Sequence, residues 1–209
     1  IITLNGGSLY FEDLSTATFN DSAILVSHPN SRIISTSPNA NNYYNSRFVI
    51  DSGYVRFQGG VFAISGSRGS LEVAGGTVEF AGTSMLKVYE GATLNITGGN
   101  LSVSETGKIL LDTSSKLFIT NGSLNALLES GRIFINSSNA TISAVSLFEG
   151  NGGIQLLNNS YMQITDSIIF RGDTVSSVTD GSTIEIIDGD VLVEPDAFFT
   201  IDETSTVSL

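Results

Sequence analysis

Apolar and polar residues alternate along this chain over short stretches, and the stretches themselves recur. A period of two marks strands whose alternate side chains face a core. The recurrence is plainest at Gly75-Gly76-Thr77-Val78-Glu79-Phe80, Gly98-Gly99-Asn100-Leu101-Ser102-Val103 and Asn121-Gly122-Ser123-Leu124-Asn125-Ala126, each beginning 23 residues after the last. Before the glycine turn lies a pair of columns. One reads Ile2, Leu25, Phe48, Leu71, Leu94, Leu117, Ala140, Met162, Ile184, Val207, and the other reads Leu4, Ser27, Ile50, Val73, Ile96, Ile119, Ile142, Ile164, Ile186, Leu209. Only Ser27 is polar. A second pair follows the turn, as in Val78/Phe80 and Val191/Val193, and a third lies between, as in Leu86/Val88 and Phe199/Ile201. Each repeat therefore predicts three short strands separated by turns.

Side chains that recur once per 23 residues imply strands stacked in parallel, coil upon coil. The predicted fold is all-β, a β-solenoid of about nine coils over residues 1–209, since the 209 residues are almost nine times 23. At about 4.8 Å between neighbouring strands the rod is roughly 43 Å long. The strong preference for right-handed crossovers favours a right-handed parallel β-helix. Helices are excluded by the period and by the density of Gly, Ser, Thr and Asn. Glycines at 7, 53, 76, 99, 122 and 189, with Asn30 in the same column, read as turn formers tolerant of positive φ.

One coil departs from the pattern. Residues 35–47 read as a polar loop replacing the middle strand, ending in Tyr43 and Tyr44. Loops on solenoids gather on binding faces, and exposed tyrosines stack on sugars or partner side chains. This makes the pair a candidate ligand site, the alternative being that both rings fold back over the adjacent sheet.

Composition narrows the chemistry. The chain has no Cys, one His, and 9 Lys+Arg against 21 Asp+Glu, for a net charge of −12. That excludes disulfides, thiol chemistry and Cys zinc sites, and it leaves no overall electrostatic footprint for nucleic acid or an anionic membrane surface. No apolar run approaches the roughly 20 residues of a membrane helix. Ser, Thr and Asn number 30, 19 and 16, so the exterior is built of hydroxyls and amides.

The acids are uneven. Residues 166–209 hold ten of them beside a single base, Arg171. Asp166 and Asp188 share one turn position on consecutive coils with Asp190 close by, so the three are candidate oxygen ligands for Ca²⁺. Solvated turn carboxylates are the other reading, and no cofactor is otherwise expected. His28, beside Pro29, reads as a turn residue. Seven N-x-[ST] sequons, at Asn20, Asn95, Asn100, Asn121, Asn136, Asn139 and Asn158, are candidate N-glycosylation sites in a secreted setting.

The glycine-turn columns, the Leu/Ile/Val ladders and the Ser/Thr/Asn exterior resemble secreted parallel β-helix surface proteins, particularly the passenger regions of autotransporter-type adhesins. The resemblance implies an extracellular or cell-surface rod for attachment, spacing or filament assembly, with glycans or host and cell-surface proteins as partners. It does not imply an enzyme. The alternative is a carbohydrate-active enzyme or carbohydrate-binding module of the pectate-lyase-like or tailspike type, which needs acids clustered with Arg or Lys in mid-rod. The chain enters and leaves in the strand before the glycine turn, with no capping helix in the pattern. The expectation is a segment of a longer solenoid, or a protomer whose open ends self-associate.

Overall fold

The computed structural model describes residues 1–12, 17–127, 131–149 and 151–209. The described chain is all-β and winds as a parallel solenoid of about nine turns, its strands falling into three sheets. The first sheet holds ten strands, from Ile2–Leu4 to Thr206–Ser208, and is the strand before the glycine turn. The second holds nine, from Gly7–Phe11 to Val191–Val193, and the third nine, from Thr18–Asn20 to Phe198–Ile201. Every strand pairs with the strand one coil earlier or later, in parallel. None of it is a helix long and apolar enough to cross a membrane.

The inward ladders form one continuous core. Leu71, Leu94, Leu117 and Ala140 stack in register on the first sheet, each essentially inaccessible. Val78/Leu101/Leu124 do so on the second and Leu86/Ile109/Ile133 on the third. Burying one such aliphatic side chain is worth about 1.5–3 kcal/mol, and the stack repeats that gain in each coil.

Two expectations are corrected. The first sheet pairs Ile2 with Ile24 and Ile24 with Phe48, so the inward residues are Ile24 and Val26, not Leu25 and Ser27. The first step spans 22 residues and the next 24. With this shift the one polar position in the paired columns becomes Val26, fully buried. The second correction concerns residues 35–47, which do not replace the middle strand. Asn41–Tyr44 is a strand of the third sheet, paired with Thr18–Asn20 on one side and Val61–Ser65 on the other. The loop is only the turn before it.

The turns explain the glycines in two ways. Gly76 takes φ +69°, which a side chain disfavours. Gly122 does not have positive φ; there a Cβ would come within 2.3 Å of Ile96 Cγ2 and 2.5 Å of the Gly99 carbonyl oxygen. Close stacking of turn upon turn, rather than backbone handedness, selects glycine at that position. At the opposite corner, between the third and first sheets, Asn45, Ser114, Asn158 and Asp180 adopt positive φ without glycine.

A second ladder lies inside the corner between the third and first sheets. Immediately before each first-sheet strand after Ile2–Leu4 stand Ser22, Ser46, Gly69, Ala92, Ser115, Ser138, Ser160, Ser182 and Ser205. Ser46, Ser115, Ser138, Ser160 and Ser182 are buried. Their hydroxyls satisfy the corner backbone: Ser160 Oγ donates toward the Leu157 and Ile135 carbonyls and accepts from Ser138 N, and Ser182 Oγ accepts from Ser160 N at 3.1 Å. Buried polar backbone at a tight corner needs such partners.

Candidate functional site

Tyr43 alternates inward on its strand and is 3% exposed. Its ring stacks on Phe19 at 4.9 Å, lies 4.4 Å from Phe62 and meets Phe48 edge-on at 5.6 Å. Burial pushes its phenol above the usual tyrosine range. Tyr43 is therefore a core aromatic, and the expectation of a paired tyrosine platform is corrected: Tyr44 alone points outward, 48% exposed. Strand alternation separates adjacent side chains onto opposite faces.

Asp166 and Asp188 do stack on consecutive coils, two residues beyond the paired Ile164 and Ile186. Asp166 Oδ1 accepts from the Ser167 amide at 2.7 Å, closing its own turn, while Asp188 and Asp190 are exposed. Among the described residues no group of three His, Cys, Asp or Glu side chains is gathered so as to hold a metal ion. The three acids are not brought together as a calcium ligand set.

None of the sequon asparagines is buried. Two have their amide nitrogen engaged: Asn136 Nδ2 donates to Asp112 at 2.8 Å and Asn158 Nδ2 to Asn136 Oδ1 at 2.6 Å. Asn100 Oδ1 accepts from Ser123 and Asn125. Asn20, Asn121 and Asn139 are exposed, and Asn95 is half-buried on the first sheet. Asn100 and Asn121 also line a shallow groove of about 610 Å³ at the corner between the first and second sheets, with Thr120, Ser123, Ser143 and Asp166. His28 Nδ1 accepts from the Asn30 amide at 3.1 Å, a turn contact.

One polar cluster was not singled out by the spacing. On the outward face of the second sheet, Tyr54 and Arg56 on one strand meet Glu79 on the next, with Ser104 and Glu105 one coil on. Tyr54 Oη donates to Glu79 Oε2 at 2.6 Å and Ser104 Oγ to Glu79 Oε1 at 2.9 Å. Arg56 Nε stands 3.4 Å from Glu79 Oε2, and its Nη2 stands 3.9 Å from Glu105 Oε1. Burial, then the Glu79 carboxylate, pushes the Tyr54 phenol up to about 12. Both Glu79 oxygens are engaged, so the group works as a polar pin across three coils. The signal that could have found it is the residue-by-residue register of Tyr54 to Thr77 and Arg56 to Glu79 across one repeat. A related pin joins Tyr161, Gln163 and Glu185 on the first sheet, where the Tyr161 hydroxyl donates to Glu185, raising the phenol's pKa and lowering the carboxyl's.

Comparison with models of known protein families, with curated proteins and with solved structures found no match.

Proposed function

We propose that the chain is a structural rod of an extracellular or cell-surface protein, serving attachment or spacing. The observation that carries this reading is the continuity of the three inward ladders from coil to coil, each strand pairing in parallel with its neighbours along the axis around one core.

The hydroxyl and amide exterior and the accessible sequons support an extracellular setting. A glycan and matrix-protein array tests the attachment reading: retention of the chain without turnover is expected, and no retention on any surface would sink it.

A second reading, a carbohydrate-active enzyme, is favoured by one observation: Arg56 lies between Glu79 and Glu105 in mid-rod. A polysaccharide panel separates the two. Release of reducing or unsaturated ends, lost in Arg56→Gln, would replace the rod by an enzyme.

A further inference from the structure

Three Asn-Gly pairs occur in the chain, Asn5-Gly6, Asn121-Gly122 and Asn151-Gly152. In such a pair the missing side chain of the second residue lets its backbone nitrogen reach the side-chain carbonyl carbon of the first. Reaction needs an accessible asparagine, a glycine amide that no acceptor holds, and a peptide plane free to rotate. The fold grants these unequally.

Asn5 is exposed, but the Gly6 amide donates to the Ser31 hydroxyl at 2.8 Å. That hydroxyl is itself fixed, since Ser31 is fully buried and donates to the Leu4 carbonyl at 3.1 Å. Asn151 is exposed too, but Gly152 is buried, with the Gly131 carbonyl oxygen 2.7 Å from where a Cβ would stand. Asn121 is exposed and Gly122 half-buried. Among the described residues, neither the Asn121 side chain nor the peptide group joining Asn121 to Gly122, carbonyl or amide, has a hydrogen-bond partner.

The register explains why this turn is open. In the three coils before it, the carbonyl of each turn glycine is taken by an amide of the next coil: Gly53 by Thr77, Gly76 by Asn100 and Gly99 by Ser123. The equivalent amide for Gly122 is that of Ser146, which donates instead to the Ser167 carbonyl at 3.1 Å. The step from Ile119 to Ile142 on the first sheet is 23 residues, whereas the step from Asn125 to Leu147 on the second is 22. The next coil therefore rounds this corner with one residue fewer. The turn it leaves uncovered lies in the shallow groove of about 610 Å³ that Asn121 and Gly122 share with Ser143 and Asp166.

We propose that Asn121 is a site of spontaneous deamidation, driven by the unheld Gly122 amide beside it in this open corner. The Gly122 nitrogen gives its proton to water or hydroxide and bonds to Asn121 Cγ. The Cγ–Nδ2 bond breaks, and Nδ2 takes up a proton and leaves as ammonia. Water then opens the five-membered imide at either carbonyl, giving aspartate or, where the main chain now runs through the former side chain, isoaspartate. Rotation of the peptide plane breaks no hydrogen bond, so the folded chain opposes ring closure less here than at Asn5. Both products set a carboxylate into the groove that Asp166 already lines, and both remove the Asn121 sequon. Isoaspartate also lengthens the main chain at a turn packed so closely that a Cβ on Gly122 would lie 2.5 Å from the Gly99 carbonyl oxygen. The corner thus carries a one-way change of charge and packing, independent of what the rod attaches to.

The test is peptide mapping by mass spectrometry of the whole chain aged in mildly alkaline buffer, folded and, in parallel, unfolded in urea. In the folded chain Asn121 should convert roughly 3- to 10-fold faster than Asn5, the factor that one further hydrogen bond to break imposes, and Asn151 should lag as well. In urea the three sites should converge. Isoaspartate should accompany aspartate at this position, since both come from the imide, and Asn121→Gln should abolish the earliest acidic species. Asn121 reacting only in urea, Asn5 or Asn151 keeping pace with it in the folded chain, aspartate without isoaspartate, or an undiminished acidic species in Asn121→Gln would each overturn the inference.

Discussion

The Ser160 hydroxyl reaches the Leu157 and Ile135 carbonyls at 2.6 and 2.8 Å and accepts from the Ser138 amide at 3.3 Å, all within the buried corner. Alanine at this position would strand those backbone groups away from water. The expected loss is about 1–3 kcal/mol, read as a shift in the urea midpoint with an unchanged m-value. Asp202 carries a pH dependence of opposite exposure, at the surface of the last coil. The Ser205 hydroxyl beside it, and the Asp180 amide that donates to it at 2.8 Å, hold its carboxyl down to about 2, below the ordinary value of 3.8. A depressed carboxyl favours the folded state above its unfolded pKa. Its contribution is therefore full above about pH 4 and disappears as pH falls toward 2. The wild type should outlast Asp202→Asn in urea at pH 6, and the gap between them should close by pH 2. Equal midpoints at pH 6 would contradict the assignment.

Strands and turns differ in how far they could be read beforehand. The ladder of Leu71, Leu94 and Leu117 was legible because outward neighbours such as Glu72 and Asn95 leave one register open. In Ala23-Ile24-Leu25-Val26 both faces are apolar, and a one-residue slip costs nothing in the pattern although it reverses every side chain. Pro38-Asn39-Ala40-Asn41-Asn42 carries turn chemistry, which concealed the strand beginning at Asn41. That strand is secured instead by tertiary contact, with Asn41 Oδ1 accepting from the Ala17 amide and Tyr43 buried among Phe19, Phe48 and Phe62. The serine column went unread because serine is common along the whole chain and its inward positions are polar like its outward ones. Turn stacking gives a direct check. Gly122→Ala drives a Cβ against Ile96 and the Gly99 carbonyl, so it should cost about 1–3 kcal/mol as overpacking does. Gly7, at φ +91° with open space around it, should respond only to its backbone strain, roughly 1–2 kcal/mol. If thermal melts rank Gly7→Ala as the more damaging, close stacking does not explain Gly122.

At the scale of the whole molecule the sequence pattern foretold the architecture but not the placement of charge. A net charge of −12 hides the fact that two cations meet on the third sheet, because only the coil register brings Lys108 and Arg132 side by side. That register also makes the rod nearly one-dimensional, each coil touching only its neighbours, so its stability is a sum over coils and their interfaces. Removing one whole coil should then be far milder than removing half of one. Deleting residues 94–116 joins Thr93 to Leu117; Thr93 and Lys116 are register partners, so the first-sheet strand resumes in phase. The ladders close up, with Leu71 now facing Leu117 across the gap that Leu94 had filled. Such a variant should keep its β-sheet circular dichroism and unfold cooperatively, with an m-value lower by about a ninth, in proportion to the surface buried. Deleting residues 94–105 removes only part of a coil, sends a first-sheet strand into a turn between the second and third sheets, and should leave a chain that does not fold. If the two deletions behave alike, the coil is not the unit from which this rod is built.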